Sequence, residues 1–241
     1  ALENHVYQRE LIASERMAAL GTMAGMLAHD FRGPMTLIRG YAELLGSGES
    51  TPDDVRARAA FIVQAVERLE RMTAETLDFA RGGTRLVRRT VVLQHLLDEM
   101  AAELERQCPG LAVRRTFAVG EAAGSLDADK LQRALSNVAA NAYEAMGRAG
   151  TFHMEARVDT EAAAPHLVLL LADEGPGVPP EVRQRLFEPF STFGKKGGTG
   201  LGLAVARRFI EDHGGRIDLL DEGPGARFRV RLPLQEPAGS V

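Results

Sequence analysis

The sequence has one cysteine, no tryptophan and few aromatic residues among its 241 positions. The lone thiol, Cys108, excludes a disulfide-stapled domain and fits a reducing compartment, where such a residue is usually a small apolar side chain. No apolar run reaches the roughly 18 residues of a membrane span, and no charged-then-apolar leader opens the chain. We therefore expect this fragment to be cytoplasmic and without membrane contact. Ala1 in place of an initiator Met suggests an excerpt, so a membrane anchor elsewhere in a longer protein stays open.

An excess of positive charge is also absent. The chain carries 29 Lys and Arg against 33 Asp and Glu, a formal net charge of −4. Without a basic run interleaved with aromatics, it lacks the electrostatic footprint of a nucleic-acid-binding protein. A hydrophobic fraction of 45% and a charged fraction of 26% exclude disordered and collagen-like chains. The length allows one large or two modest globular domains.

The first 80 residues predict a helical hairpin. A polar, glycine-containing break at 46–52 separates two runs whose apolar residues recur at alternating spacings of four and three, the seam of a coiled-coil-like helix pair. Thr51 and Pro52 supply an N-cap and a proline at the first helical position of the second helix, which should end near Ala80. The seam residues are Leu20, Ala24, Leu27, Phe31, Pro34, Ile38, Tyr41 and Leu45, then Val55, Ala59, Ile62, Val66 and Leu69.

Two helices cannot cover both of their apolar stripes, so we expect a homodimer whose hairpins form a four-helix bundle. The alternative is a hairpin that packs on the rest of its own chain. A basic, glycine-containing linker follows, and the second half predicts an α/β sandwich with helices on one face of a mixed sheet. The fold class is thus α+β. The expected boundaries are the end of an incoming coiled coil at 1–19, the hairpin at 20–80, the linker at 81–90, the sandwich at 91–235 and a tail at 236–241.

The sandwich should contain helices near 94–107, 128–146 and 201–212. Strands are expected near 113–117, 151–158 and 167–172, followed by a hairpin of 216–220 with 226–232.

Four short segments of the second half carry chemistry. Asn137 and Asn141 share one face of a helix, where neutral oxygen ligands suit a magnesium ion held mainly by phosphates and water. Asp173 follows a buried strand and begins the segment Asp-Glu-Gly-Pro-Gly, whose glycines let a ligand approach the backbone. The segment Phe187–Phe190 comes next, and a glycine turn at 197–203 opens a helix, where backbone N–H groups bind phosphates.

Together these segments resemble the N, G1, F and G2 boxes of the Bergerat-type ATP-binding domain of sensor histidine kinases, shared with gyrase, Hsp90 and MutL. The resemblance implies that Asp173 accepts the adenine amino group, that Asn141 ligates Mg²⁺ and that 178–199 form an ATP lid. Where many members carry a lysine, this chain has Glu144, so phosphate neutralisation is expected from the lid lysines or from Lys130 and Arg133. The implied nucleotide-binding residues are Asn137, Asn141, Asp173, Gly175, Gly177, Lys195, Lys196, Gly198, Thr199, Gly200, Leu201 and Gly202.

His29 differs from the five other histidines, which we interpret as ordinary surface or core residues. It lies two residues from the seam positions Leu27 and Phe31, so its imidazole should point out of the bundle. Asp30 follows directly and can take the Nδ1 proton, leaving Nε2 as the nucleophile. The segment from Leu27 to Leu37 resembles the H box of the dimerisation and phosphoacceptor domain of the same kinases. The resemblance implies transfer of the γ-phosphoryl of Mg-ATP to His29 and then to an aspartate of a response regulator.

One departure from the family concerns Gly33, four residues after the histidine, where bifunctional members carry Thr or Asn that positions a water. We expect weak phosphatase activity. Two alternatives stay open: an ATP-driven conformational machine of the gyrase and Hsp90 kind, and a pseudokinase scaffold. The first is disfavoured because Asn137 stands where those enzymes carry a glutamate base.

Overall fold

The computed structural model describes residues 2–47, 51–81, 86–160, 164–191, 199–221 and 223–234, with the backbone alone at 2–20, 22, 23, 26 and 81. The chain divides into two compact units. One contains the described residues up to Arg81 together with 199–201, and the other contains 86–191 and the described residues from Gly202 onward.

The first unit is built on two helices, α1 (Leu2–Gly46) and α2 (Pro52–Arg81). The predicted start of α2 is confirmed: the Thr51 hydroxyl accepts from the Asp54 N–H at 3.2 Å, and the Asp54 carboxylate accepts from the Thr51 N–H at 3.1 Å. The hydrogen bond from the Thr51 hydroxyl is the main reason why the pKa of Asp54 lies below its usual value. Pro34 lies inside α1, which continues past it as one helix.

The apolar surface of the hairpin is only partly covered within one chain. Leu27 and Pro34 of α1 and Ala65 and Met72 of α2 are buried. Val55, Ala59 and Val66 of the predicted α2 seam are exposed in the single chain, so their burial in a bundle of two hairpins stays a prediction. Within one chain, α2 buries the small and flexible side chains of Ala65 and Met72 instead. Among the side chains of the two helices that the structure describes, the large apolar ones left exposed are Met35, Leu37, Leu44, Val55, Phe61, Val63, Val66 and Leu77.

The second unit is an α/β sandwich with a mixed five-stranded sheet. Its strands are β2 (Leu111–Ala118), β4 (Gly150–Asp159), β5 (His166–Asp173), β6 (Arg216–Leu220) and β7 (Arg227–Pro233), in the order β2-β4-β5-β7-β6. The β2/β4 pair is parallel and the other pairs are antiparallel. A second sheet pairs β1 (Arg89–Val92) with β3 (Ala123–Leu126). The helices are α3 (Leu93–Gln107), α4 (Ala128–Ala145), α5 (Pro180–Arg183) and α6 (Gly202–Asp212).

The core is formed by apolar residues that alternate along β5 and recur at helical spacing along α4. Leu167, Leu169 and Leu171 are buried on one face of β5, and α4 buries Leu131 and Leu135 at a spacing of four. The predicted α+β class is confirmed. β3 and α5 were not predicted, because the four residues of β3, Ala-Gly-Ser-Leu, carry no strand signal and α5 is a single turn.

Among the described helices, none is both long enough and apolar enough to cross a bilayer.

Candidate active site

Asp173 ends β5 and is only 5% exposed. Its backbone N–H donates to the Ala226 carbonyl at 3.0 Å, which joins the strand end to the start of β7. Its Oδ1 accepts from the N–H groups of Gly175 at 2.9 Å and Ala226 at 3.1 Å. The second oxygen, Oδ2, has no hydrogen bond within the described part of the chain. The carboxylate is therefore fixed through one oxygen and presents the other as a recessed acceptor.

Three glycines permit this arrangement. Gly225 has φ +81°, and a Cβ there would collide with the carbonyl oxygen of Asp173. A Cβ at Gly175 would lie 2.9 Å from Asp173 Oδ1, and one at Gly177 would lie 3.2 Å from the Gly225 carbonyl oxygen. From the sequence, Gly175 and Gly177 were predicted to belong to the nucleotide site, and Gly225 was given no role. The structure makes Gly225 and Ala226 part of the site, and the signal available in the sequence was the Gly-Pro-Gly just before the last strand.

The two asparagines of α4 lie one turn apart, as predicted, but they differ in what they contact. The Asn137 amide Nδ2 donates to the Gly202 carbonyl at 3.0 Å, so this side chain ties α4 to the first residue of α6. Its predicted role in nucleotide binding stays a prediction. Asn141 is half-buried on the next turn, and its role as a metal ligand stays a prediction.

The glycine turn before α6 is described only from Thr199 onward. Thr199 is buried; its hydroxyl accepts from the Leu201 N–H at 3.2 Å and donates to Glu75 of α2, in the same compact unit. Gly200 has φ +65°, which suits a glycine, and Leu201 is fully buried. Lys195, Lys196 and Gly198 lie outside the described residues, so their predicted phosphate contacts stay predictions.

Lys130 and Arg133 were the alternative candidates for phosphate neutralisation. The Lys130 Nζ lies 5.9 Å, and the Arg133 guanidinium carbon 5.8 Å, from the ring centroid of Phe209, near the C-terminal end of α6. Phosphates are expected at the opposite, N-terminal end of that helix. This placement argues against a phosphate role for either residue.

His29 lies on α1 with its side chain 80% exposed. Its Nδ1 is 3.4 Å from Oδ1 of Asp30, whose side chain is 16% exposed. Both features were predicted. The pair holds one ring nitrogen toward a carboxylate and leaves the imidazole accessible, which is the arrangement of an activated nucleophile.

Two other histidines have partners that explain them as structural residues. His153 Nε2 lies 3.0 Å from Glu174 Oε1, a hydrogen bond that keeps the pKa of Glu174 below its usual value. His166 Nδ1 lies 2.7 Å from the Ala164 carbonyl.

No group of three or more His, Cys, Asp or Glu in the described ranges is arranged as a metal site. The donors near the candidate site are amide and carboxylate oxygens, which suit a hard cation that is held mainly by phosphates and water.

Two family models match the chain. Residues 19–85 match the His Kinase A (phospho-acceptor) domain, and residues 126–236 match the Histidine kinase-, DNA gyrase B-, and HSP90-like ATPase. The sensor histidine kinase ZraS of Klebsiella oxytoca is 34% identical over 233 residues, which cover 94% of this chain and 49% of that protein. The chain spans about half the length of the curated relatives it matches.

Solved structures agree with this match. Full-length ShkA in complex with AMPPNP is 26% identical, with a TM-score of 0.62 over 92% of this chain and 47% of that one. Histidine kinase ThkA in complex with the response regulator protein TrrA is 24% identical, with a TM-score of 0.76 over 97% of this chain and 67% of that one, and shows the fold.

Because Gly225 packs closely against Asp173, we expect Gly225→Ala to lower the free energy of unfolding more than Gly223→Ala does. Gly223 has φ +82°, but a Cβ there would meet only the Arg227 side chain, at 3.6 Å. Gly223→Ala should therefore cost only the left-handed backbone penalty, about 1 kcal/mol of unfolding free energy. Gly225→Ala adds a backbone collision and should cost about 3 kcal/mol. Chemical denaturation followed by circular dichroism measures both, and equal losses would contradict the packing described here.

Proposed function

We propose, from the premise that this chain belongs to the sensor histidine kinases of two-component systems, that its phosphoacceptor is His29 and its phosphoryl donor is ATP. The observation that carries the proposal is the pairing of two unlike sites in one chain. One is an exposed imidazole beside a carboxylate, and the other is a recessed carboxylate at the end of a strand.

Asp173 is suited to adenine recognition because its carboxylate can accept a hydrogen bond. Because Oδ1 is fixed by two backbone N–H groups, Oδ2 is available as an acceptor for the exocyclic amino group of adenine. Gly175 and Gly177 keep side chains away from the loop beside it, so a planar base can lie against the backbone.

We assign Mg²⁺ and the phosphates to residues of α4, of the start of α6 and of the lid. Asn141 would supply a neutral oxygen to Mg²⁺, and the ion would neutralise charge on the phosphates during transfer. The backbone N–H groups at the start of α6, with Lys195 and Lys196 of the lid, bind the phosphates. The amide of Asn137 holds the start of α6 by its hydrogen bond to the carbonyl of Gly202.

The reaction forms a bond from His29 Nε2 to the γ-phosphorus and breaks the bond from that phosphorus to the β–γ bridging oxygen, releasing ADP. Asp30 accepts the Nδ1–H and stabilises the positive charge that develops on the ring. A response-regulator aspartate then attacks the phosphorus, and the P–N bond breaks. The phosphoryl group leaves on the carboxylate, and the imidazole regains its lone pair.

A homodimer is the proposed assembly. Among the described side chains of the two helices, eight large apolar ones are exposed in a single chain, and Phe61 is among them although its ring stacks on Tyr41 at a centroid distance of 4.9 Å. Apolar area of this extent on two antiparallel helices favours burial against the same surface of a second copy in a four-helix bundle.

The rival function is an ATPase of the gyrase and Hsp90 kind, which shares the second family model. It requires a carboxylate base to activate water. Asn137 is an amide and already donates to Gly202, so it cannot serve as that base.

Labelling with γ-labelled ATP and Mg²⁺ tests the proposal. The unmodified chain should gain label that is lost in acid and kept in alkali, the stability of a phosphohistidine. His29→Gln should gain none, because the nucleophilic nitrogen is gone. His95→Gln, which changes another exposed histidine, is the matched control and should label normally. Label that survives in His29→Gln, or bound ATP without any label transfer, would contradict the proposal.

Gly33 supports the proposal of weak phosphatase activity toward the regulator. A Cβ at Gly33 would meet nothing within 4 Å, so an asparagine fits on α1 without rearrangement. Gly33→Asn adds an amide one turn after His29 that can orient a water, and it should speed loss of label from a phosphorylated receiver by about tenfold. Gly40→Asn is the control, because Gly40 lies two turns farther along the same helix and is equally open. Equal rates for Gly33→Asn and the unmodified chain would contradict this prediction.

A further inference from the structure

His213 is the one histidine of the described chain that is fully buried, and the phosphotransfer scheme gives it no role. Its Nδ1 lies 2.7 Å from the Phe209 carbonyl, and its Nε2 lies 3.0 Å from the backbone nitrogen of Asp127. A backbone N–H can only donate, so Nε2 is the acceptor and the ring proton sits on Nδ1, where it donates to Phe209. The ring is therefore a neutral imidazole with both nitrogens hydrogen-bonded.

Asp127 extends this contact to the segment that enters the sandwich. Its Oδ1 accepts from the Lys130 N–H at 3.2 Å and caps α4, while Oδ2 accepts from the Val87 N–H at 2.8 Å. The guanidinium of Arg88 donates to the carbonyls of Ser125 at 2.9 Å and His213 at 3.2 Å. Val87 and Arg88 immediately precede β1. The end of the linker is thus attached to the start of α4 and to the end of α6.

The same two helices are joined at a second point. Asn137 of α4 donates to Gly202 at the start of α6, while Asp127 before α4 donates to His213 after α6. The two contacts are ten residues apart on α4 and eleven apart on α6, which is about 15 Å along each helix. The start and the middle of α4 are therefore joined to the two ends of α6, and Asn141 lies one turn beyond Asn137.

The backbone after α6 fixes the position of His213. The N–H groups of Gly214 and Gly215 donate to the Glu211 and Ile210 carbonyls at 2.8 and 2.9 Å. Gly214 has φ +78°, and a Cβ at Gly215 would collide with the Arg231 carbonyl oxygen, so both positions require glycine.

We infer that His213 is a positioning residue for phosphoryl transfer, which fastens the linker residues Val87 and Arg88 to the helix pair that holds the nucleotide. The inference rests on the proposed function. A displacement of the linker is passed through Asp127 to α4, which carries Asn137 and Asn141, and through Arg88 and His213 to α6.

The hydrogen bond from the Asp127 N–H to His213 Nε2 requires a neutral ring, because a protonated Nε2 would place its own N–H against the N–H of Asp127. Burial is the largest cause that lowers the pKa of His213. Among the groups that face the ring, the Phe209 carbonyl and Asp127 oppose this shift, while Arg88 and Lys130 add to it. Since the folded state disfavours the proton, the connection should weaken as the pH falls below the usual histidine value of about 6.5.

Amide hydrogen exchange at Val87 and Asp127 in the full chain tests the inference. His213→Leu removes the acceptor, so the protection factors of both amides should fall at least about tenfold. The affinity for a non-hydrolysable ATP analogue should fall with them. His213→Gln keeps an acceptor oxygen for the Asp127 N–H and should restore most of the protection. His95→Gln is the control on an exposed site.

The pH dependence separates positioning from a merely structural role. In the unmodified chain, the protection factor of Val87, corrected for intrinsic exchange, should fall between pH 7.5 and 5.5, and in His213→Gln it should stay flat. Because one arm uses the unmodified chain, the test stands even if His213→Leu does not fold. Unchanged protection in His213→Leu, or the same pH response in the unmodified chain and His213→Gln, would overturn the inference. These readouts need no phosphoryl transfer, so they are independent of the labelling of His29.

Discussion

The fixed orientation of the Asp173 carboxylate is the constraint on which the rest of the site depends. A carboxylate this buried is costly unless its oxygens are satisfied, and two backbone N–H groups satisfy one of them. One N–H belongs to the loop after β5 and the other to the start of β7, so the two loops must approach closely. That approach is what makes glycine necessary at position 225. The orientation of the carboxylate is thus set by backbone geometry more than by side-chain packing.

The proposed nucleophile is organised in the opposite way. His29 is exposed on a long helix, and its local environment is a single neighbouring carboxylate. This exposure suits the proposed reaction, in which the side chain would meet first a nucleotide and then a separate protein. In the sandwich, by contrast, hydrogen bonds of Asn137 and His213 join α4 and α6 at two points. The second of these points also holds the linker, so the segment between hairpin and sandwich is attached to the helices that carry the site.

Periodic segments were predictable from the sequence, and the buried polar contacts were not. The bounds of α4 and β5 follow from apolar spacing and came within two residues of the prediction. The exposure of His29 followed from its offset from the seam. Gly225, Asp127 and His213 were missed because their partners lie far away along the chain, and only the folded sheet brings them together. Ala65 and Met72, which α2 buries within one chain, were not among the predicted seam residues.

The most direct test of this account is the affinity of Asp173→Asn for a non-hydrolysable ATP analogue, with Glu174→Gln as the neighbouring control. In the variant, the two backbone N–H groups should keep the amide oxygen at the Oδ1 position, which forces the NH₂ group into the Oδ2 position. A donor would then face the adenine amino group. We expect an affinity about 10- to 100-fold weaker, with the fold retained and Glu174→Gln close to the unmodified chain. An affinity unchanged by Asp173→Asn would contradict the assignment of this carboxylate as the nucleotide acceptor.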